Sequence, residues 1–170
     1  MTSPGRLPVD VARLPRPAYT YRMRIALGAD HAGVALKQDI KRQLDERGIA
    51  YTDFGTDSPE SVDYPDYAIA VGEAVASGGY DRGILFCGSG IGMAIAANKI
   101  PGVRAAAVFD APSARLSREH NDANVLSLGE RVTPADQARH IVDAFLDTPF
   151  AGGRHQRRVD KIAAIEKTHR

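Results

Sequence analysis

Cysteine is nearly absent: Cys87 is the single cysteine in 170 residues. That excludes an intramolecular disulfide and any multi-cysteine metal site, and it suits a reducing cytoplasm. An excess of one charge is also missing. The 22 basic and 21 acidic residues leave a net charge of +1, without the bulk signature of a nucleic-acid or membrane binder. No apolar run approaches the roughly 20 residues of a membrane span. No Gly-Lys-Ser/Thr completes a Walker loop and no G-x-G-x-x-G is present, so the nucleotide fingerprints are incomplete. Internal repeats are lacking too.

What remains is long enough for one domain with a substantial core. Residues 1–21 differ from the rest. Pro4, Pro8, Pro15 and Pro17 alternate with Arg6, Arg13 and Arg16. This stretch has no apolar h-region, and its prolines oppose a helix. It reads as a flexible extension, with residues 22–170 as the domain and Met23 as an alternative start.

From Met23 onward, short apolar runs alternate with helical patterns. Strands are expected at 23–28, 49–54, 83–86, 105–109 and 124–128. Helices are expected at about 34–47, 65–77 and 113–120, from the glycine turn at 88–92 through Ala97, from Thr133-Pro134 onward with Thr133 as N-cap and Pro134 at the first helical position, and around Val159, Ile162 and Ile165. Five such strands imply an α/β protein, a five-stranded parallel sheet flanked by helices in a Rossmann-like three-layer sandwich. Ligands bind beyond the carboxyl ends of such strands. Asp30-His31, Cys87 and Phe109-Asp110 each follow a strand, so they are expected to converge on one rim.

The most informative stretch is I-L-F-C-G-S-G-I-G-M-A-I-A-A-N-K, residues 84–99. A buried strand leads to one thiol, a bare glycine turn and a helix. Such a turn brings backbone N–H groups to a helix N-terminus, which favours an anion. The same N-terminus favours a thiolate. Cys87 therefore reads as a base or nucleophile beside an anion-stabilising turn. Ser89 is equally a turn former or a proton relay. Asp30 is a cap or a ligand contact, and His31 beside it can donate to an anion. His120, at a helix end, is a solvated histidine or a proton donor. His31 and His120 lack ligand-spaced partners for a metal. Arg154 and Arg158 lie four apart at a helix start, where they oppose the dipole. Two guanidinium forks on one face suit a phosphate, and a solvated patch is the alternative.

Taken together, G-A-D-H-A-G, D-Y-P-D-Y-A, C-G-S-G-I-G, A-A-N-K, R-E-H-N-D-A-N-V-L-S-L-G and G-G-R-H-Q-R-R-V resemble the type-B ribose-5-phosphate isomerase family. That family also includes galactose-6-phosphate isomerase subunits. The resemblance spans about Arg24 to Glu166. It implies interconversion of D-ribose 5-phosphate and D-ribulose 5-phosphate through a cis-enediolate, with no metal and no cofactor. By the same resemblance, Cys87 is the base, Ser89 the relay between O1 and O2, and His120 the ring-opening donor. A second branch of the family uses a Glu six positions after this cysteine; Met93 stands there, which places the chain with the cysteine branch. Backbone N–H groups of Gly88, Ser89, Gly90, Ile91 and Gly92 correspond to the anion hole. Asp30, His31, Tyr64, Asn121, Arg131, Arg154 and Arg158 correspond to substrate contacts. The family also implies a homodimer or homotetramer with shared sites, in which His120, Asn121 and Arg131 come from the partner subunit. Neither a nucleic acid nor a membrane is an expected partner. Other phosphosugars (allose 6-phosphate, galactose 6-phosphate or a tetrose phosphate) remain open as substrates. A non-catalytic phosphosugar-binding protein is the rival of a different class, disfavoured by the intact Cys87, Ser89 and His120.

Overall fold

The computed structural model describes residues 22–168. The proline-rich extension expected at residues 1–21 lies outside them. Among the described residues, five strands alternate with five helices, and a sixth helix follows the fifth. They are β1 (Arg24–Ala29), α1 (Val34–Glu46), β2 (Ala50–Asp53), α2 (Tyr64–Ala76), β3 (Arg82–Cys87), α3 (Ile91–Ala97), β4 (Ala105–Ala107), α4 (Ala111–Asn121), β5 (Val125–Gly129), α5 (Ala135–Asp147) and α6 (Arg154–Thr168). The strands form one parallel sheet in the order β2-β1-β3-β5-β4. This is the expected fold class.

The three inner strands are buried on both faces, which is why they are continuous apolar runs rather than alternating ones. Their alternate residues feed two cores. Ile25, Leu27, Ile84, Phe86, Leu126 and Leu128 pack with α1, α4 and α5. Ala26, Leu85, Cys87 and Val125 pack with α2 and α3. Gly48 and Gly78, both in the left-handed region, stop α1 and α2 where expected.

Two local expectations are corrected. Asp110 was expected on the ligand rim, but it is the N-cap of α4, accepting the Ser113 N–H at 2.7 Å. The reason is topological: β4 is an edge strand, and β5 separates it from β3. Thr133 was expected to cap α5. Instead its N–H closes a turn onto Gly129 O at 2.9 Å, its hydroxyl is buried without a partner, and Pro134 takes the cap position.

Candidate active site

Beyond the carboxyl ends of β1, β3 and β5 lies a cleft of about 350 Å³. Register explains the convergence: Ala29 pairs with Phe86, and Cys87 with Gly129. The β1–α1 loop supplies Asp30 and His31, and the start of α2 supplies Tyr64. Cys87, Gly88, Ser89 and Gly92 come from the β3–α3 turn, and Arg131 and Val132 from the β5–α5 loop. Position β1/β3 is where the strand order reverses, the usual ligand position in such sheets.

The β3–α3 turn aims two amides at the side chains of interest. Gly90 N–H donates to Cys87 Sγ at 3.1 Å, and Ile91 N–H donates to Ser89 Oγ at 3.3 Å. Gly90 adopts a φ of 79°, a left-handed conformation that suits glycine. Gly92 admits the Tyr64 ring, whose Cζ stands 2.8 Å from where a Cβ would lie. Arg131 lies across Gly88, its Nε and Nη1 3.4 Å from the corresponding point. Cys87 is buried but lines the cleft.

Opposite the thiol, buried Asp30 accepts the Ala32 N–H at 2.8 Å. Its carboxylate ties the turn ahead of α1 instead of capping the helix as anticipated, since Gly33 holds the N-cap position, and it lines the cleft. Val62 N–H donates to His31 Nδ1 at 3.3 Å. The neutral ring then carries its proton on Nε2, available as a donor. The loop bearing Val62 is itself anchored. Fully buried Lys37 Nζ donates to Asp53 Oδ1 at 2.7 Å, Thr56 O at 2.7 Å and Asp57 Oδ1 at 2.8 Å. Burial acts to raise the Asp53 pKa, but hydrogen bonds from Lys37, Lys41 and the Gly55 amide outweigh it and hold the carboxyl below its ordinary value.

The remaining expected residues gather elsewhere. His120, at the end of α4, stacks on His155 of α6 with ring centroids 4.2 Å apart and planes 5° from parallel. Burial, then the neighbouring His120, Arg154 and Arg158, hold the His155 imidazole below its ordinary pKa. Asn121 lines a second hollow of about 740 Å³ together with Ile162, Ile165 and Arg104. None of His120, Asn121, Arg154 and Arg158 lines the Cys87 cleft within the chain. His31 and His120 accordingly do not share a site in one chain. Arg131 was expected to reach the thiol from a partner, yet the chain's own Arg131 lies in the Cys87 cleft. It does so because β5 is the direct neighbour of β3.

Sequence reading missed His155, Val62 and Val132. His155 stood inside G-G-R-H-Q-R-R-V, four positions before buried Val159; that helical spacing was the available signal. Val62 acts through its main chain, for which a sequence offers no signal.

An open parallel α/β sheet with a cleft at its switch point places the chain among the doubly wound α/β proteins that bind ligands there. Residues 25–162 match the Ribose/Galactose Isomerase family, and the chain belongs to it. It is 52% identical over 144 residues to the Escherichia coli (strain K12) protein named ribose-5-phosphate isomerase B, covering 85% of this chain and 97% of that one. It is 43% identical over 145 residues to a Pectobacterium atrosepticum protein named D-erythrulose-4-phosphate isomerase, covering 85% and 95% of the two chains. Among solved structures, the Clostridium thermocellum ribose-5-phosphate isomerase B superposes with a TM-score of 0.86 at 55% identity, covering 87% of this chain and 100% of that one.

Proposed function

We propose that this protein interconverts D-ribose 5-phosphate and D-ribulose 5-phosphate through a cis-enediolate. The observation that carries the reading is the pairing of Cys87 Sγ and Ser89 Oγ on one amide-lined turn within the cleft. Aldose–ketose exchange needs one base, one relay and fixed dipoles facing developing negative charge. In this scheme His120 protonates the ring oxygen, the bond from C1 to that oxygen breaks, the O1 hydroxyl gives its proton to solvent, and the sugar opens to the aldehyde. Cys87, as thiolate, takes the C2 proton of the open aldose, and the electron pair becomes the C1–C2 double bond of the enediolate. Ser89 Oγ passes a proton from O2 to O1, and Cys87 returns its own proton to C1, giving the ketose. No covalent intermediate forms. The N–H groups of residues 88–92 face the enediolate oxygens.

A second copy of the chain completes the site in this reading. His120, Asn121, Arg154 and Arg158 are absent from the cleft that holds Cys87. The partner subunit would supply them, the two arginines clamping the phosphate at the far end of the sugar. Ile162 and Ile165, 42% and 57% exposed beside Asn121, are apolar surface suited to burial against another chain.

A panel of C4 to C6 aldose phosphates assayed with wild type and Cys87→Ala tests the proposal. We expect D-ribose 5-phosphate to give the highest kcat/KM, and Cys87→Ala to lower kcat by about 10²–10⁴-fold with the fold intact by circular dichroism. Full activity in Cys87→Ala would refute the base assignment, and no turnover of any sugar would refute the enzyme. The likeness to the erythrulose-4-phosphate enzyme makes a tetrose phosphate the second reading; preference for it in the same panel would replace the pentose.

A further inference from the structure

The first turn of α1 has no cap of its own. Gly33 occupies the N-cap position, and no acidic residue lies in the first turn. Packing forbids a side chain there: a Cβ on Gly33 would stand 2.4 Å from the Phe86 carbonyl carbon. The turn that presents Asp30 and His31 thus rests directly on β3, with Asp30 N–H donating to Phe86 O at 3.1 Å.

The missing acceptor arrives from 94 positions along the chain. Glu130 Oε2 accepts the Leu36 N–H at 2.9 Å. Leu36 is the third residue of α1, where an N-cap side chain ordinarily bonds. A carboxylate at that point also faces the positive end of the helix dipole.

Glu130 is tied to the other half of the cleft through its main chain. Its N–H donates to Cys87 O at 2.8 Å, and the next residue, Arg131, donates its N–H to Gly88 O at 3.0 Å. One residue therefore grips the Cys87 turn by its backbone and α1 by its carboxylate. It does not line the cleft, but borders a separate hollow with Leu36 and Thr133. We propose that Glu130 is a positioning residue that sets the separation of Asp30 and His31 from Cys87, Ser89 and Arg131. Its effect on turnover rests on the isomerase reading above; its effect on the Cys87 turn does not.

The test compares Glu130→Ala with Glu130→Gln. Two readouts are taken: kcat and KM for D-ribose 5-phosphate, and the rate at which iodoacetamide alkylates the ligand-free protein. The single cysteine makes that rate a report on Cys87 alone. Displacing reacting groups by about 1 Å costs up to about a hundredfold, so Glu130→Ala is expected to lower kcat/KM by about ten- to a hundredfold, mainly in kcat. Its Cys87 alkylation is expected to be faster as the turn loosens. Glu130→Gln keeps an oxygen acceptor at the same reach and is expected to stay within about threefold of wild type. Wild-type kinetics and alkylation in Glu130→Ala would overturn the proposal. So would a Gln variant as impaired as the Ala variant, since charge rather than the cap would then matter. Should Glu130→Ala fail to fold, Glu130→Gln decides. Wild-type kinetics with wild-type hydrogen-exchange protection at the Leu36 amide supports the cap, and loss of either overturns it. If wild type itself turns over no sugar, the isomerase reading fails, and the alkylation comparison still decides the role of Glu130.

Discussion

The Cys87 cleft and the His120–His155 cluster carry the two halves of the expected chemistry, and they are built differently. The cleft sits on the ends of three adjacent inner strands, whose buried runs and paired register hold its loops together. The cluster sits on α4 and α6, at the periphery, with Arg154 and Arg158 exposed around a buried His155. The roles proposed for Cys87 and its turn need fixed geometry, which the carboxyl ends of inner strands provide. The donor and phosphate-clamp roles proposed for His120, Arg154 and Arg158, on outer helices, suit the closure by a second copy proposed above.

The largest effect expected to sharpen this contrast comes from His120→Ala, which should lower turnover of D-ribose 5-phosphate by about 10²-fold or more. Mixing it with Cys87→Ala under conditions of subunit exchange should restore activity to about a quarter of wild type, because half the dimers are mixed and each has one intact site. No recovery would break the shared-site reading. Arg158→Ala should act next, raising KM about ten- to a hundredfold through loss of a charge-assisted hydrogen bond to phosphate, with kcat little changed. A fall in kcat alone would remove Arg158 from the clamp.

Smaller effects separate the scaffolds. Asp110→Ala removes the cap that starts α4, the helix ending in His120. It should cost about 1 kcal/mol in denaturant unfolding and leave Cys87 alkylation unchanged. The smallest effect is pH-dependent. The His155 pKa is lowered on folding, so the unfolded chain takes up this proton first as pH falls below the ordinary value of 6.5. The contribution is fully present above that value and declines below it. Thermal melts should therefore show a loss of stability on acidification that His155→Phe makes shallower; an unchanged slope would show that His155 is not the titrating group.

Much of this was legible in the chain itself. Apolar runs such as 84–86, bounded by glycine, marked the inner strands because burial on both faces demands continuous apolar sequence. The tight turn after Cys87 was legible because its glycines permit both the left-handed step at Gly90 and the close approach of Tyr64 at Gly92. Asp110 misled for a simple reason. A residue after a strand joins the rim only if that strand lies beside the others, and strand order is a long-range property.

Residue types, helix stops, the two-sided burial of the inner strands and the chemistry available at Cys87, Ser89 and His120 follow from local sequence, because side-chain periodicity and turn preference act over a few residues. The tertiary structure alone decided that β5 lies beside β3, which delivers Arg131 to the Cys87 cleft and excludes Asp110. It alone set Glu130 as the cap of a helix 94 positions away. Those are contacts between distant segments, fixed by sheet register and packing, and no short-range pattern encodes them.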